Sequence, residues 1–205
     1  MLLNLRNIGG YQPTVDNTGP PPKNTGHSSW DLPEGNKTKQ KKPALIANEE
    51  KSLTAAIGEL ENGREHHFYS WGNFNLVRLI CFLIKQTGPV NLMMTSYSFS
   101  RKSIEQIQYH IKKGEILSFK VILDNRVKVM SPKPFQMIAT CFDYKCISVH
   151  AKVALLWNDK WKISIITSQN ATDNPKLERG IIFTDPEIFE FDFKTLMNEF
   201  ERGTT

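Results

Sequence analysis

The feature that most constrains this fold is a regular exchange of hydrophobic periods that begins near residue 44. ALIANEEKSLTAAIGEL (44–60) carries apolar residues at helical spacing. HHFYSWG (66–72) reads as a short strand, and NFNLVRLICFLIKQTG (73–88) as a mostly apolar helix stopped at Gly88. PVNLMMTSYSF (89–99) is predicted as a strand. SRKSIEQIQYHIKKG (100–114) is predicted as an amphipathic helix, with Ser103 as its N-cap and Gly114 as its C-cap. EILSFKVILD (115–124) is the next strand and KPFQMIATCFD (133–143) a short helix. Strands alternating with helices of this length predict an α/β layer fold with a largely parallel core.

The alternation breaks at CISVHAKVALLW (146–157) and WKISIITSQN (161–170), two long apolar strands separated by Asn158, Asp159 and Lys160. A three-residue connection of that composition predicts a C-terminal β-hairpin, so the sheet is mixed, with helices on both faces. Residues 1–43 read as a separate tail, disordered or extended. GPPPKNTGHSS and LPEGNKTKQKKP show neither period, and the basic cluster NKTKQKK (36–42) reads as a solvated linker. The folded domain is placed at 44–203.

The net charge of +5 over 205 residues favours a polyanionic partner. Cys81, Cys141 and Cys146 lack metal-ligand spacing and read as reduced structural thiols, which suits a reducing cytoplasm. No run approaches the ~20 apolar residues that span a bilayer. The first residues, MLLNLRNIGGYQP, lack the basic and long apolar regions of a signal peptide. A cytoplasmic protein without stable membrane insertion is the expectation.

A Lys inside an apolar strand is costly unless something occupies its charge, so Lys152 and its neighbour His150 mark a site. With the loop centred on Asp159, residues whose numbers sum to 318 face each other. Trp157 then opposes Trp161, His150 opposes Ser168, and Lys152 opposes Ile166. Alternation brings His150, Lys152, Ser168 and Asn170 out on one side, and leaves Val149, Val153, Leu155, Trp157, Ile163 and Ile165 as a core face on the other. Imidazole, ammonium, hydroxyl and amide together suit a phosphate diester. The imidazole can attack phosphorus or protonate a leaving oxygen, while the other three hold the non-bridging oxygens. No cluster of metal ligands accompanies them, so the chemistry is read as metal-independent and without a cofactor.

These residues resemble the phospholipase D superfamily. Its H-x-K motif is matched by His150-Ala151-Lys152, and its G-S-x-N by Thr167-Ser168-Gln169-Asn170, with Thr in place of Gly. Glu178, in NATDNPKLERGIIF, matches the acidic residue that follows. The likeness is strongest over 145–184 and compatible over roughly 50–200. Two positions depart from the pattern: Trp157 stands where the family has Asp, with Asp159 as a shifted substitute, and Lys and Ser are three residues further apart.

The resemblance implies a phosphohistidine mechanism in which Glu178 helps orient the histidine. Members use two such motifs per site, and this chain has one. His110-Ile111-Lys112 fits the letters but lies in a predicted helix, where i and i+2 point apart. A homodimer is therefore implied, with His150 of each copy on opposite sides of one phosphate. Tyr97, Ser98 and Ser100, following a buried strand, are candidate substrate contacts. His66 and His67 read as strand-edge surface residues. The favoured function is a nuclease. A phospholipid diesterase, or a catalytically silent module that binds DNA or a partner, is the alternative.

Overall fold

The computed structural model describes residues 44–205, with side chains from Lys51 onward. The tail reading, including the basic cluster at 36–42, lies outside the described residues. Seven strands form one sheet in the order β1-β7-β6-β5-β2-β3-β4. These are β1 (Glu65–Trp71), β2 (Val90–Ser96), β3 (Ile116–Asp124), β4 (Asp143–Ile147), β5 (Val153–Trp157), β6 (Lys162–Thr167) and β7 (Leu177–Phe183). The helices are α1 (Ala44–Ile57), α2 (Leu76–Thr87), α3 (Arg101–Lys112), α4 (Val127–Met130), α5 (Pro132–Cys141) and α6 (Pro186–Arg202). The expected mixed α/β architecture is therefore present.

β2, β3 and β4 are parallel, whereas β2, β5, β6, β7 and β1 are joined by successive antiparallel pairings, so the sheet is mostly antiparallel where a largely parallel core was expected. Four antiparallel steps leave β1 pointing the same way as β2. One end of the sheet thus collects the C-terminal ends of β1, β2, β3 and β6 together with the starts of β5 and β7. Open α/β sheets bind ligands beyond the carboxyl ends of their parallel strands.

Helices cover both faces. Leu53 and Ile57 of α1, the apolar side of α2, Ile104 and Ile107 of α3, and Ile138 of α5 pack one face with Leu92, Val121, Leu156, Ile163 and Ile165. On the other face Phe189, Leu196 and Phe200 of α6 pack against Met93, Ile122 and Leu155. Capping sets the helix starts. Asn75 accepts from the Arg78 N–H at 3.0 Å, and Asp185 accepts from Glu187 with Pro186 in the first turn. Ser100, not Ser103, caps α3: its hydroxyl accepts the Ser103 N–H at 3.1 Å, and Ser103 is buried within the helix. No described helix is long and apolar enough to cross a membrane. All three cysteines are free, and burial pushes the Cys81 thiol up to about 12.

Two sequence expectations are corrected. The predicted strand 146–157 is two strands: β4 lies at the sheet edge beside β3, and β5 lies between β2 and β6. Residues 148–152 must cross the ends of β3 and β2 to join them, and those strands grip the crossing. The Asp124 carboxylate accepts the Val149 N–H at 3.2 Å. The Thr95 hydroxyl donates to the Ala151 carbonyl at 2.7 Å and accepts the Val153 N–H at 3.1 Å.

The β5–β6 register is also one residue from that expected. The loop has four residues, because Asn158 donates its N–H to the Trp161 carbonyl (3.0 Å) and its side chain accepts from Lys160 and Trp161. Trp157 therefore faces Lys162, and Lys152 accepts the Thr167 N–H at 3.1 Å rather than facing Ile166. A one-residue slip exchanges the faces of one strand relative to the other. Ile163 and Ile165 join the α2–α3 core, whereas Val149, Val153, Leu155 and Trp157 pack on the α6 side. Both faces of β5 are core.

Candidate active site

None of the four hairpin residues lies within a strand: His150 and Lys152 precede β5, and Ser168 and Asn170 follow β6. The face argument that assembled them does not hold, yet the strand ends bring three of them together. His150, Lys152 and Ser168 line one open pocket of ≈ 340 Å³ with Ala151, Val153, Ile166 and Thr167. The Lys152 ammonium donates to the His150 carbonyl at 2.8 Å and stands 3.3 Å from each ring nitrogen. It is only 8% exposed. Burial lowers its proton affinity, and the charge of Glu178 partly restores it. His150 is exposed, so its imidazole is open to a ligand.

Glu178 is buried at the start of β7. Its carboxylate accepts from the Ser168 hydroxyl and from the Asn174 amide, which gives it a role in fixing Ser168. Ser168 also accepts the Arg179 N–H at 3.0 Å. Asn170 is half-buried, with its side-chain oxygen 3.5 Å from the Ser96 hydroxyl. Gln169, between them, is turned inward and donates to the Phe74 carbonyl at 2.7 Å.

Of the residues after β2, Tyr97 reaches the site, its ring 5.6 Å from the His150 ring. Ser98 lies with its hydroxyl 3.4 Å from that of Thr172. Ser100 spends its hydroxyl on the α3 cap. His67 contacts the exposed Arg179 guanidinium at 3.0 Å on the edge strand. His110 pairs with Glu115 at the opposite end of the sheet, 2.6 Å apart. Trp157 lies at the far end of β5, roughly 16 Å from Lys152 by strand rise. There it packs on Phe189 and Phe193 of α6. Neither it nor Asp159 can touch a group bound at His150, and Trp157 serves the core.

Sequence reading missed Asp124 and Arg126. Asp124 is 2% exposed and accepts from the Val149 N–H and from the backbone and side chain of Arg126. Hydrogen bonding from Arg126 holds its carboxyl below the usual range. The strand-end argument that selected Tyr97 applies equally to Asp124, the last residue of β3. Among the described residues, no three His, Cys, Asp or Glu side chains gather as a metal-ligand set.

No known family model and no curated protein matches the sequence. Solved structures do match. Polyphosphate kinase from Porphyromonas gingivalis superposes with a TM-score of 0.51 at 13% identity, over 69% of this chain and 26% of that one. The fold is phospholipase D-like. NucT from Helicobacter pylori aligns with a TM-score of 0.49 at 15% identity, over 68% of this chain and 98% of its own. TrmBL2, an archaeal chromatin protein, gives 0.48 at 11% identity, over 79% and 62% respectively. This chain thus matches about a quarter of the polyphosphate kinase. At 13% identity the likeness to the polyphosphate kinase is one of fold. In the phospholipase D-like fold of this chain, the motif residues cluster at the sheet end just described.

Proposed function

We propose that this chain is a metal-independent phosphodiesterase that cleaves nucleic-acid backbones in a site shared by two copies. The observation that carries the reading is the meeting of His150, Lys152 and Ser168 on one pocket, with Lys152 against the imidazole. A ring nitrogen of one His150 attacks phosphorus, and a P–N bond forms as the P–O bond to the leaving group breaks. The departing oxygen takes a proton from the His150 imidazolium of the second copy. That imidazole then takes a proton from water, whose oxygen displaces the first imidazole and restores both rings. Lys152 holds the non-bridging oxygens, and Glu178, which accepts the Ser168 hydroxyl hydrogen, fixes Ser168 in the wall of the pocket. The positive charge of the chain suits a polyanion.

The need for a second imidazole has a structural counterpart. Among the described residues, α6 leaves the outer half of one sheet face uncovered near the site. Trp71 (67% exposed), Tyr69 (61%), Leu177 and Ile166 stand there unburied, and Ile166 also lines the His150 pocket. Exposed apolar groups of this size mark an interface. Trp71→Glu is expected to convert a dimer to monomers in sedimentation equilibrium and to abolish cleavage; an active monomer sinks the shared site.

The primary test is cleavage of labelled single- and double-stranded DNA in excess chelator. Chelator-resistant cleavage supports the reading, whereas DNA binding without turnover leaves a binding module. Glu178→Gln supplies a pH test. It removes the charge that favours the Lys152 ammonium and leaves burial alone, so the alkaline limb of the activity profile moves to lower pH. An unmoved limb excludes Lys152 from it.

A further inference from the structure

We infer that Arg126 forms a second phosphate subsite, which fits the site to a chain of phosphodiesters, a polynucleotide backbone, rather than to an isolated diester. The inference rests on the phosphodiesterase reading and names its substrate class. Arg126 follows β3 by two residues, and its guanidinium is fixed from two sides. Its Nε donates to Asp124 at 2.7 Å and its Nη2 approaches the other carboxylate oxygen at 3.4 Å. Its Cζ lies 4.8 Å from the centre of the Tyr97 ring. The same ring stands 5.6 Å from the imidazole of His150, and its hydroxyl reaches the Met130 sulfur at 3.3 Å.

A guanidinium has three hydrogen-bonding edges. Asp124 occupies the Nε–Nη2 edge, so the Nη1 end of the fork is free of hydrogen bonds among the described residues, on a side chain that is 61% exposed. A buried carboxylate that orients an exposed cation is a costly way to make a surface ion pair, since exposed pairs add little stability. It is an effective way to hold a planar donor ready for a phosphate, because the fork is ordered before the ligand arrives. Tyr97 contacts both Arg126 and His150. It therefore links the position of the cation to that of the nucleophile. A lone diester on His150 leaves Arg126 unused, whereas a backbone supplies a neighbouring phosphate one residue along.

The test is a fluorescence titration of the full chain with a short oligothymidylate and with the single-phosphate dinucleoside, over a range of salt. Arg126→Gln is expected to weaken oligothymidylate binding about tenfold and to lower the log–log salt slope by about one, the signature of one lost phosphate contact. Arg126→Lys, which keeps the charge beside Asp124, is expected to recover less than half of the lost affinity because it lacks the fork. The loss on the dinucleoside is smaller than that on the oligomer. Equal losses on both ligands, an unchanged salt slope, full recovery in the Lys variant, no oligothymidylate binding by wild type, or tighter binding to diphosphatidylglycerol vesicles each overturn the subsite. Binding is read without turnover. Failure of the subsite is thus distinguishable from failure of the phosphodiesterase reading, which chelator-resistant cleavage alone decides.

Discussion

His150→Asn is expected to reduce phosphodiester cleavage by about 10⁴-fold or more while the chain stays folded. His150 is exposed and lies outside the strands, so its loss removes little packing. In a shared site the change deletes the nucleophile and the proton donor at once, which is why the effect exceeds that of losing one acid–base group. Asparagine offers neither a nucleophilic nitrogen nor a group that titrates near neutrality. Mixing supplies the sharper measurement. If two copies build one site, equal parts of wild type and His150→Asn, exchanged to equilibrium, keep about a quarter of the activity. If each copy acts alone, half survives, and the shared site is excluded. Substantial cleavage by the variant alone sinks the nucleophile assignment.

Asp124→Ala is expected to destabilise the fold by about 2–3 kcal/mol, because the half-buried Val149 N–H and the Arg126 N–H lose their acceptor together. It also frees the 148–152 crossing that carries His150, so activity falls further than stability accounts for. Denaturant unfolding and cleavage at saturating substrate separate the two effects. Asp124→Asn keeps one acceptor oxygen and loses less. The acid dependence follows from the depressed carboxyl. Because the folded state holds the proton less tightly than the unfolded chain, the contribution is complete above the unfolded carboxyl value of ~4. It is lost as pH falls through the lower folded value. Wild type therefore loses stability on acidification through that window, and Asp124→Asn loses less. Parallel acid profiles remove Asp124 from this role.

Part of this was legible in the chain because it is written in local periods. The apolar side of α2, the amphipathic α3 with Gly114 after it, and the strands 89–99 and 115–124 follow from spacing alone, and each appears as an element. The motif letters of His150, Lys152, Ser168, Asn170 and Glu178 were equally visible, since they depend only on order. The hairpin register was not. An Asn158 side chain that accepts two backbone N–H groups lengthens the loop by one residue. Composition does not distinguish that turn from a three-residue one, and the slip reverses which residues share a face.

The break in 146–157 was hidden for a different reason. Val149, Val153 and Leu155 alternate as one strand would, and nothing local marks Ser148–Lys152 as a crossing. What ends β4 at Ile147 is its place at the sheet edge, and what starts β5 at Val153 is β2. Asp124 and Thr95, far away in the chain, hold the segment between. The sequence alone determined the residue chemistry, the alternation of elements and hence the layered α/β class, because side-chain type and period are properties of neighbours in the chain. Only the tertiary structure decided the strand order that gathers the motif at one sheet end, the burial that lowers the proton affinity of Lys152, and the Asp124–Arg126–Tyr97 support of His150. Those depend on contacts between residues dozens of positions apart, which no local period encodes.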